Sequence, residues 1–210
     1  MKKVKLVAFD VNGTLFDDTK IFWEAINGIF PRYGKPLLPL EILQKKFGQP
    51  WTRIYREYGI TEEMASDNDL YKIYNEFYES QEHPAPAVGL KETLGWLKSN
   101  GLLLAIVSTQ QNTITAPLLG KYGLHGLFFK IFGSVSDKSQ ALHDLAVAAD
   151  LSASEVAYVG DQEGDVRHAK SAGCVSIAFC GGLHDHERLK KMKPDFIIES
   201  MPELKDLAIF

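Results

Sequence analysis

Residues 4–17 contain the feature that most constrains the fold, a short apolar run that stops at a carboxylate. Leu6–Phe9 are all apolar, which favours a strand buried on both faces, and Asp10 follows at once. Asn12 and Gly13 then favour a turn, because both residue types tolerate positive φ. In an open α/β sheet, ligands bind outside the carboxyl ends of the strands. Asp10 is therefore a candidate nucleophile or metal ligand, whereas a lone Asp here would more simply cap the turn.

The rest of the chain from residue 87 onward alternates apolar runs with helical patterns. We expect five further strands, each followed or preceded by a helix that ends near a glycine or begins near a polar residue. This alternation favours an α/β fold with a doubly wound, mostly parallel, Rossmann-like sheet. The predicted strands are Leu102–Val107, Phe128–Gly133, Val156–Val159, Val175–Phe179 and Phe196–Ile198.

A pair of acids follows the strand predicted over Val156–Val159, in the run Gly160-Asp161-Gln162-Glu163-Gly164-Asp165. Asp161 on the turn and Asp165 in the first turn of the next helix can face one point, opposite Asp10. Such hard oxygen ligands suit Mg²⁺, which also keeps waters and takes a substrate oxygen. Because Asp is favoured at helix N-termini, capping is the structural alternative for both acids.

Residues 17–81 differ from the rest, because aromatic and charged side chains recur there at helical spacing without any alternating strand pattern. This predicts about four helices inserted directly after the first strand and its turn. An insert at that point would lie over the crevice and could close as a lid. We therefore expect two domains, an α/β core from residues 1–15 and 87–210 and a helical cap from residues 16–86.

Length and charge restrict the function further. The chain has 210 residues and a net charge of −4, and its small basic cluster at residues 188–193 is typical of a solvated helix, so we expect no nucleic-acid partner. The first apolar run is too short for a signal peptide or a membrane span, so we expect a cytoplasmic protein with no membrane partner. Cys174 and Cys180 are expected to be buried thiols, and His184 and His186 solvated loop residues rather than metal ligands.

Taken in order, the motifs resemble those of the haloacid dehalogenase-like superfamily. Asp10-Val11-Asn12-Gly13-Thr14-Leu15 resembles its first signature, in which phosphatases carry Asp at the place of Asn12. Ser108-Thr109, at a predicted strand end, stands where the second signature belongs, and Lys138, at a predicted helix start, where the third belongs. The run from Asp161 to Asp165 resembles the fourth signature of the magnesium-dependent branch. Residues 86–101 are similar to members with a helical cap after the first strand.

The resemblance implies a Mg²⁺-dependent phosphomonoesterase similar to phosphoglycolate phosphatases. Asp10 would attack phosphorus and form an aspartyl-phosphate that water then cleaves, while Lys138 would stabilise the charge. The metal ligands would be Asp10, the backbone carbonyl of Asn12, and Asp161 or Asp165. The partner would be a small phosphorylated metabolite, and the protein a monomer or homodimer.

Substrate contacts are expected from two regions. In the core they would come from the turn at Gly13 and Thr14 and from Ser108 and Thr109. In the insert, Gly48-Gln49-Pro50 resembles the loop through which many helical caps touch the substrate, so Gln49 and the following Arg53 are candidates. A helix-ending turn and a solvated arginine are the simpler interpretations of these last two residues.

Asn12 departs from the phosphatase pattern, because its amide cannot exchange a proton near neutral pH. General acid–base catalysis is worth about 10²–10⁴ in rate, so we expect a slow phosphatase, with Glu163 as the nearest spare carboxylate. One alternative is a weak or non-catalytic relative that binds phosphorylated ligands or a protein partner. Another is a phosphonate hydrolase, which needs a cap lysine where Thr52 and Arg53 stand.

Overall fold

The computed structural model describes residues 3–79 and 84–210, which divide into two compact units. The core unit consists of Met1–Asp17 and Ala85–Phe210, and the helical unit of Asp18–Pro84. Within the described ranges, no helix combines the length and apolarity that a bilayer crossing requires.

The strands of the described chain all belong to the core unit. They are β1 (Leu6–Phe9), β2 (Phe16–Asp17), β3 (Ala85–Pro86), β4 (Leu103–Val107), β5 (Lys130–Phe132), β6 (Val156–Gly160), β7 (Val175–Phe179) and β8 (Phe196–Ile198). Six of them form one parallel sheet in the order β5-β4-β1-β6-β7-β8, while β2 and β3 pair as a small antiparallel ribbon. The predicted parallel α/β sheet is confirmed.

The helices of the helical unit are α1 (Thr19–Ile29), α2 (Leu40–Lys46), α3 (Arg53–Glu57) and α4 (Asp67–Glu79). Those of the core unit are α5 (Leu90–Ser99), α6 (Asn112–Lys121), α7 (Lys138–Ala148), α8 (Glu163–Ser171) and α9 (His186–Lys191). Short 3₁₀ helices cover Phe30–Tyr33, His125–Leu127, Ala153–Glu155 and Met201–Asp206.

Strand β1 lies at the centre of the sheet and is buried on both faces, as its uniform apolarity predicts. Val7 and Phe9 join an apolar cluster with Leu94 of α5 and Ile106 of β4. Leu6 and Ala8 point to the other face, where they join a cluster with Leu142 of α7 and Tyr158 of β6. Helices therefore cover both faces of the sheet around β1. A polar residue of this segment can be accommodated only beyond the ends of the strand, where Asp10 lies.

Helix α8 begins at Glu163, so Asp165 lies in its first turn, and a capping box forms the start of the helix. The backbone amide of Gln162 donates to Oδ2 of Asp165, at 2.9 Å, while the Gln162 side chain accepts from the backbone of the first turn. These two bonds satisfy amides that a helix N-terminus otherwise leaves unpaired. The acidic loop is consequently continuous with the helix.

The described part of the helical unit, residues 18–79 and 84, contains four α-helices, with α1 and α4 in contact. Its core includes the fully buried Ile26, Phe30 and Tyr55. The side chain of Asn27 both accepts from the amide of Leu38, at 2.7 Å, and donates to its carbonyl, at 3.0 Å, which ties the connecting segment to α1. Residues 80–83 of the predicted insert lie outside the described residues, and the role of this region as a cap stays a prediction.

We expect Ile106→Ala to lower the free energy of unfolding by about 2–5 kcal/mol, because a fully buried aliphatic side chain leaves a cavity in the central sheet. Leu103→Ala in the same strand is the matched control, since Leu103 is 37% exposed and should cost much less. Urea denaturation followed by circular dichroism measures both. Equal losses would contradict the placement of Ile106 in the core.

Candidate active site

Polar side chains meet where the central parallel strands end. Asp10 follows β1, Ser108 follows β4, and Asp161 follows β6. The amide of Asp10 donates to the carbonyl of Val159, at 2.9 Å, so the chain stays in register with β6 up to the carboxylate. All three polar residues are buried. The strand-end rule therefore brings together residues that lie up to about 150 positions apart in the sequence.

Lys138 lies between two of the carboxylates. Its Nζ is 2.9 Å from Oδ2 of Asp10 and 2.7 Å from Oδ1 of Asp165. Helix α7 positions it, because Asp137 caps that helix by accepting from the amides of Ser139 and Gln140. Burial alone lowers the pKa of Lys138, but the charges of Asp10 and Asp165 raise it well above its usual value. The side chain is consequently a fixed, buried ammonium.

Asp161 is held by two donors from separate parts of the chain. The hydroxyl of Thr14 donates to Oδ1, at 3.1 Å, and the amide of Leu183 donates to Oδ2, at 2.8 Å. Gly13 has a φ of 69°, and a Cβ atom there would overlap the carboxylate of Asp161. A glycine is thus required on both conformational and steric grounds. Gly182 is equally close to Asp161, so the carboxylate is enclosed by backbone.

Asp165 combines the capping role with a place in the site. Besides its bond to the amide of Gln162, its Oδ1 faces Lys138 and the hydroxyl of Tyr158, at 3.4 Å from the latter. Tyr158 also donates to the carbonyl of Val107, at 2.8 Å, which links the ends of β6 and β4. A Cβ atom at Gly160 would overlap Asp165. The cap uses Oδ2 of Asp165, so it fixes the side chain while Oδ1 stays directed at Lys138.

The described residues fit a divalent cation at this place. Asp10, Asp161 and Asp165 are buried, and one carboxylate oxygen from each lies within 4.8 Å of the others. Oδ1 of Asp10 is buried and has no hydrogen-bond partner among the described residues. Lys138 offers one positive charge to these three carboxylates, so buried negative charge is left over. Such surplus charge is costly unless a cation offsets it.

Burial also acts on the titration of Asp10. It raises the pKa of the Asp10 carboxyl above its usual value, and the charge of Lys138 opposes this rise. The neighbouring charge of Asp165 raises the pKa further, and the hydroxyl of Ser108 lowers it. A cation held by the neighbouring acids would favour the ionised form of the carboxyl.

The loop after β4 contains a residue that the sequence analysis missed. The side-chain amide of Gln110 donates to Oδ1 of Asn12, at 3.3 Å, and its backbone amide donates to Oγ of Ser108, at 3.2 Å. Ser108 is buried, whereas Thr109 is exposed. The polar run Ser108–Gln111 at a strand end was the available signal. Gln110 orients Asn12 but offers no exchangeable acid proton.

Two other sequence expectations concern Glu163 as an acid–base residue and the helical unit as a source of substrate contacts. Glu163 is not a spare carboxylate, because Nη2 of Arg188 binds its Oε2 at 2.7 Å and holds its pKa below the usual value. In the helical unit, Gln49 and Arg53 are exposed. Arg53 binds the carbonyl of Lys46, at 2.9 Å, and Glu57, at 3.3 Å. The substrate contacts expected of Gln49 and Arg53 stay predictions.

Comparison with known proteins places this site in a family. The family model for haloacid dehalogenase-like hydrolases matches residues 7–179, which include Asp10, Lys138 and both acids of the loop after β6. The chain belongs to the haloacid dehalogenase-like hydrolases. The resemblance inferred from the motifs is thus confirmed, and so is the expectation that the protein is an enzyme of the phosphatase type.

Relatives of this hydrolase align over nearly its whole length. A phosphoglycolate phosphatase from Vibrio parahaemolyticus is 26% identical over 220 residues, covering 98% of this chain and 96% of the relative. One from Neisseria meningitidis is 28% identical over 221 residues, covering 97% and 93%. Among solved structures, a haloacid dehalogenase-like family hydrolase from Streptococcus pneumoniae has a TM-score of 0.84 at 20% identity, covering 97% of each chain. At that identity the similarity supports the fold alone.

We expect Lys138→Met to destabilise this hydrolase by about 3–5 kcal/mol in the presence of a chelator, because the carboxylates of Asp10 and Asp165 would lose their buried ammonium. Lys91→Met is the control, since Lys91 is exposed on α5 and its loss should change the free energy of unfolding by less than about 0.5 kcal/mol. Urea unfolding measures both variants. Equal stabilities would show that the ammonium does not offset the buried acids.

Proposed function

We propose that this hydrolase cleaves a small phosphomonoester through an aspartyl-phosphate on Asp10. The observation that carries the proposal is Oδ1 of Asp10, a buried carboxylate oxygen without a hydrogen-bond partner among the described residues, beside a fixed ammonium. Such an oxygen can attack phosphorus, because no hydrogen bond withdraws its electron density. Its other oxygen stays bound to Lys138, which sets the direction of attack.

The reaction divides into two displacements at one phosphorus. In the first, Asp10 forms a bond to phosphorus as the bond from phosphorus to the leaving oxygen breaks, and that oxygen takes a proton from water. In the second, water attacks phosphorus, loses a proton to solvent and releases Asp10 and inorganic phosphate. Positioning and charge stabilisation carry most of the catalysis of phosphoryl transfer. Lys138 supplies a point charge for the phosphoryl oxygens, and Ser108 a hydroxyl within the same strand-end cluster.

A divalent cation, which we propose is Mg²⁺, completes the charge balance of the site. Asp10 would hold it together with Asp161 and Asp165, whose positions are fixed by Thr14, Leu183 and Gln162. When bound, Mg²⁺ supplies positive charge to the phosphoryl oxygens. The donor set is all oxygen and partly neutralised by Lys138, which suits a hard cation rather than a thiophilic one.

The names of the relatives support a proposed class of substrate, and the free thiols of Cys174 and Cys180 support a proposed location in the cell. Because relatives covering nearly the whole chain are named phosphoglycolate phosphatases, we propose a small phosphorylated carboxylic acid as substrate. A structure with a TM-score of 0.72 and 22% identity, a CbbY variant from Rhodobacter sphaeroides, contains xylulose-1,5-bisphosphate. Sugar phosphates therefore belong in the same panel. The two free cysteines support a cytoplasmic location.

We expect the wild-type enzyme to release phosphate from at least one member of a phosphomonoester panel that includes 2-phosphoglycolate, in Mg²⁺ and not in chelator. Asp10→Asn should lower kcat by at least about 10³-fold, since it removes the nucleophile. Asp144→Asn, on the exposed side of α7, is the matched control and should keep full activity. Activity of Asp10→Asn at the wild-type level would refute the covalent mechanism.

Asn12→Asp should raise kcat by about 10²–10⁴-fold, because it adds a carboxyl that can protonate the leaving group and activate water. Asn100→Asp, at the exposed end of α5, is the control for a general effect of added charge and should leave kcat unchanged. Mass analysis should accompany both assays, since Asn-Gly sequences deamidate. If Asn12→Asp gives no gain in kcat, the absence of a carboxyl group at position 12 does not limit the reaction.

The same variant tests the second candidate function, a relative that binds phosphorylated ligands with little turnover. The specific observation in its favour is that Asn12 is held by an amide, that of Gln110, and that Glu163 is engaged by Arg188. Neither arrangement provides a proton donor at neutral pH. A wild-type enzyme inactive on the whole panel, with activity appearing in Asn12→Asp, would favour this function.

A further inference from the structure

A second cluster of metal-binding side chains lies at the same edge of the sheet, beyond the acids. Cys180 directly follows β7, Glu199 directly follows β8, and His186 is the first residue of α9. One ligand atom from each, a thiol, a ring nitrogen and a carboxylate oxygen, lies within 4.8 Å of the others. None of these residues takes part in the site formed around Asp10.

We propose that Cys180, His186 and Glu199 bind a thiophilic divalent cation such as Zn²⁺, at a site separate from the Mg²⁺ site. Sulfur, imidazole nitrogen and carboxylate oxygen are the three donor types that proteins use for zinc, whereas Mg²⁺ takes oxygen ligands. Three protein ligands leave one tetrahedral position for water. The two clusters are therefore chemically distinct, although neighbouring strand ends supply both.

The backbone holds the three ligands in place independently of one another. The amide of Cys180 donates to the carbonyl of Ile198, at 2.9 Å, which fixes the thiol against the strand that carries Glu199. Asp185 caps α9 by accepting from the amide of Arg188, at 2.8 Å, and so orients His186. The amide of Glu199 donates to Glu203, at 3.0 Å. A cation would meet ligands that are already assembled.

The cluster is also accessible to a cation from solvent. The side chains of His186 and Glu199 are 45% and 59% exposed, and Nδ1 of His186 lies 2.6 Å from Oε1 of Glu199. Two of the three ligand atoms therefore already lie side by side. Because a thiol binds metal as the thiolate, binding of the ion releases the thiol proton of Cys180 to solvent.

The position of this site gives it a consequence for the acids. Residues 180–185 form the loop between β7 and α9, and within it Leu183 donates to Asp161 and His184 accepts from the amide of Glu163 at 3.0 Å. A cation bound to Cys180 and His186 fixes both ends of the loop. The middle of the loop, and with it the hydrogen bond to Asp161, then has less freedom to move.

Cobalt is the direct probe, because Co²⁺ bound by a thiolate has a charge-transfer absorption that carboxylate-bound Co²⁺ lacks. The full chain is stripped of metal, supplied with excess Mg²⁺ and titrated with Co²⁺. We expect one equivalent to produce the thiolate band and one equivalent of Zn²⁺ to remove it. Cys180→Ser should abolish the band, and Cys174→Ser, which changes a buried thiol outside the cluster, should retain it.

Glu199→Gln provides a variant that is expected to fold normally, since Glu199 is on the surface. It should keep the band but bind Co²⁺ at least about tenfold more weakly, because a ligand of the ion is lost. The proposal fails if the wild-type chain shows no thiolate band, if the band survives Cys180→Ser, or if Glu199→Gln binds as tightly as wild type. None of these readouts depends on phosphatase activity.

Discussion

The ammonium of Lys138 is buried between the carboxylates of Asp10 and Asp165, and the arrangement of the core unit follows from the cost of that burial. Removing an ion from water costs several kcal/mol, and attraction repays the cost only where the geometry is tight. The two Nζ–O distances of 2.9 and 2.7 Å meet this condition. They require the start of α7, the end of β1 and the first turn of α8 to converge with little tolerance.

The convergence depends on glycines that let the backbone approach the carboxylates of Asp161 and Asp165 closely. Gly13, Gly160 and Gly182 each leave no room for a Cβ atom beside Asp161 or Asp165. Besides Lys138 and the hydroxyl of Thr14, backbone amides hold the acids, and an amide loses less conformational entropy on ordering than a long, flexible side chain does. This rigid arrangement leaves surplus negative charge at the sheet edge, which a bound divalent cation would offset.

The sequence was informative where a single local rule decides the structure. A strand buried on both faces needs uniform apolarity, so β1 and its terminal Asp10 were predictable, and the αβ alternation predicted the parallel sheet. Partners that only tertiary structure brings together were not. In the sequence, Tyr158 is indistinguishable from the other apolar residues of its strand, yet its hydroxyl contacts both the carbonyl of Val107 and the carboxylate of Asp165. Glu163 looked spare because Arg188, 25 positions later, gives no local signal.

The same reasoning explains why Cys180 was expected to be a buried thiol and His186 a solvated loop residue rather than a metal ligand. Their spacing along the chain matches no compact zinc motif, and the third ligand, Glu199, belongs to another strand. The pairing of β7 with β8 brings Cys180 close to Glu199, and the start of α9 brings His186 to the same place. Strand order determines which side chains become neighbours at the carboxyl edge, and that order cannot be read from periodicity.

Phosphoryl transfer at this site has two requirements, stabilisation of charge on the phosphoryl oxygens and protonation of the leaving oxygen. Because Asn12 carries no acid, the site meets the first requirement without the second. If Asp10 attacks phosphorus as proposed, the charges around it act on the anionic oxygens whatever the leaving group is. Protonation matters only to the degree that the leaving oxygen is basic, because a weakly basic oxygen departs without an acid. The penalty of Asn12 is therefore greatest for simple alkyl phosphates and smallest for acyl phosphates. The identity of the leaving group, more than recognition of the phosphate, then determines whether this site turns over quickly or mainly binds.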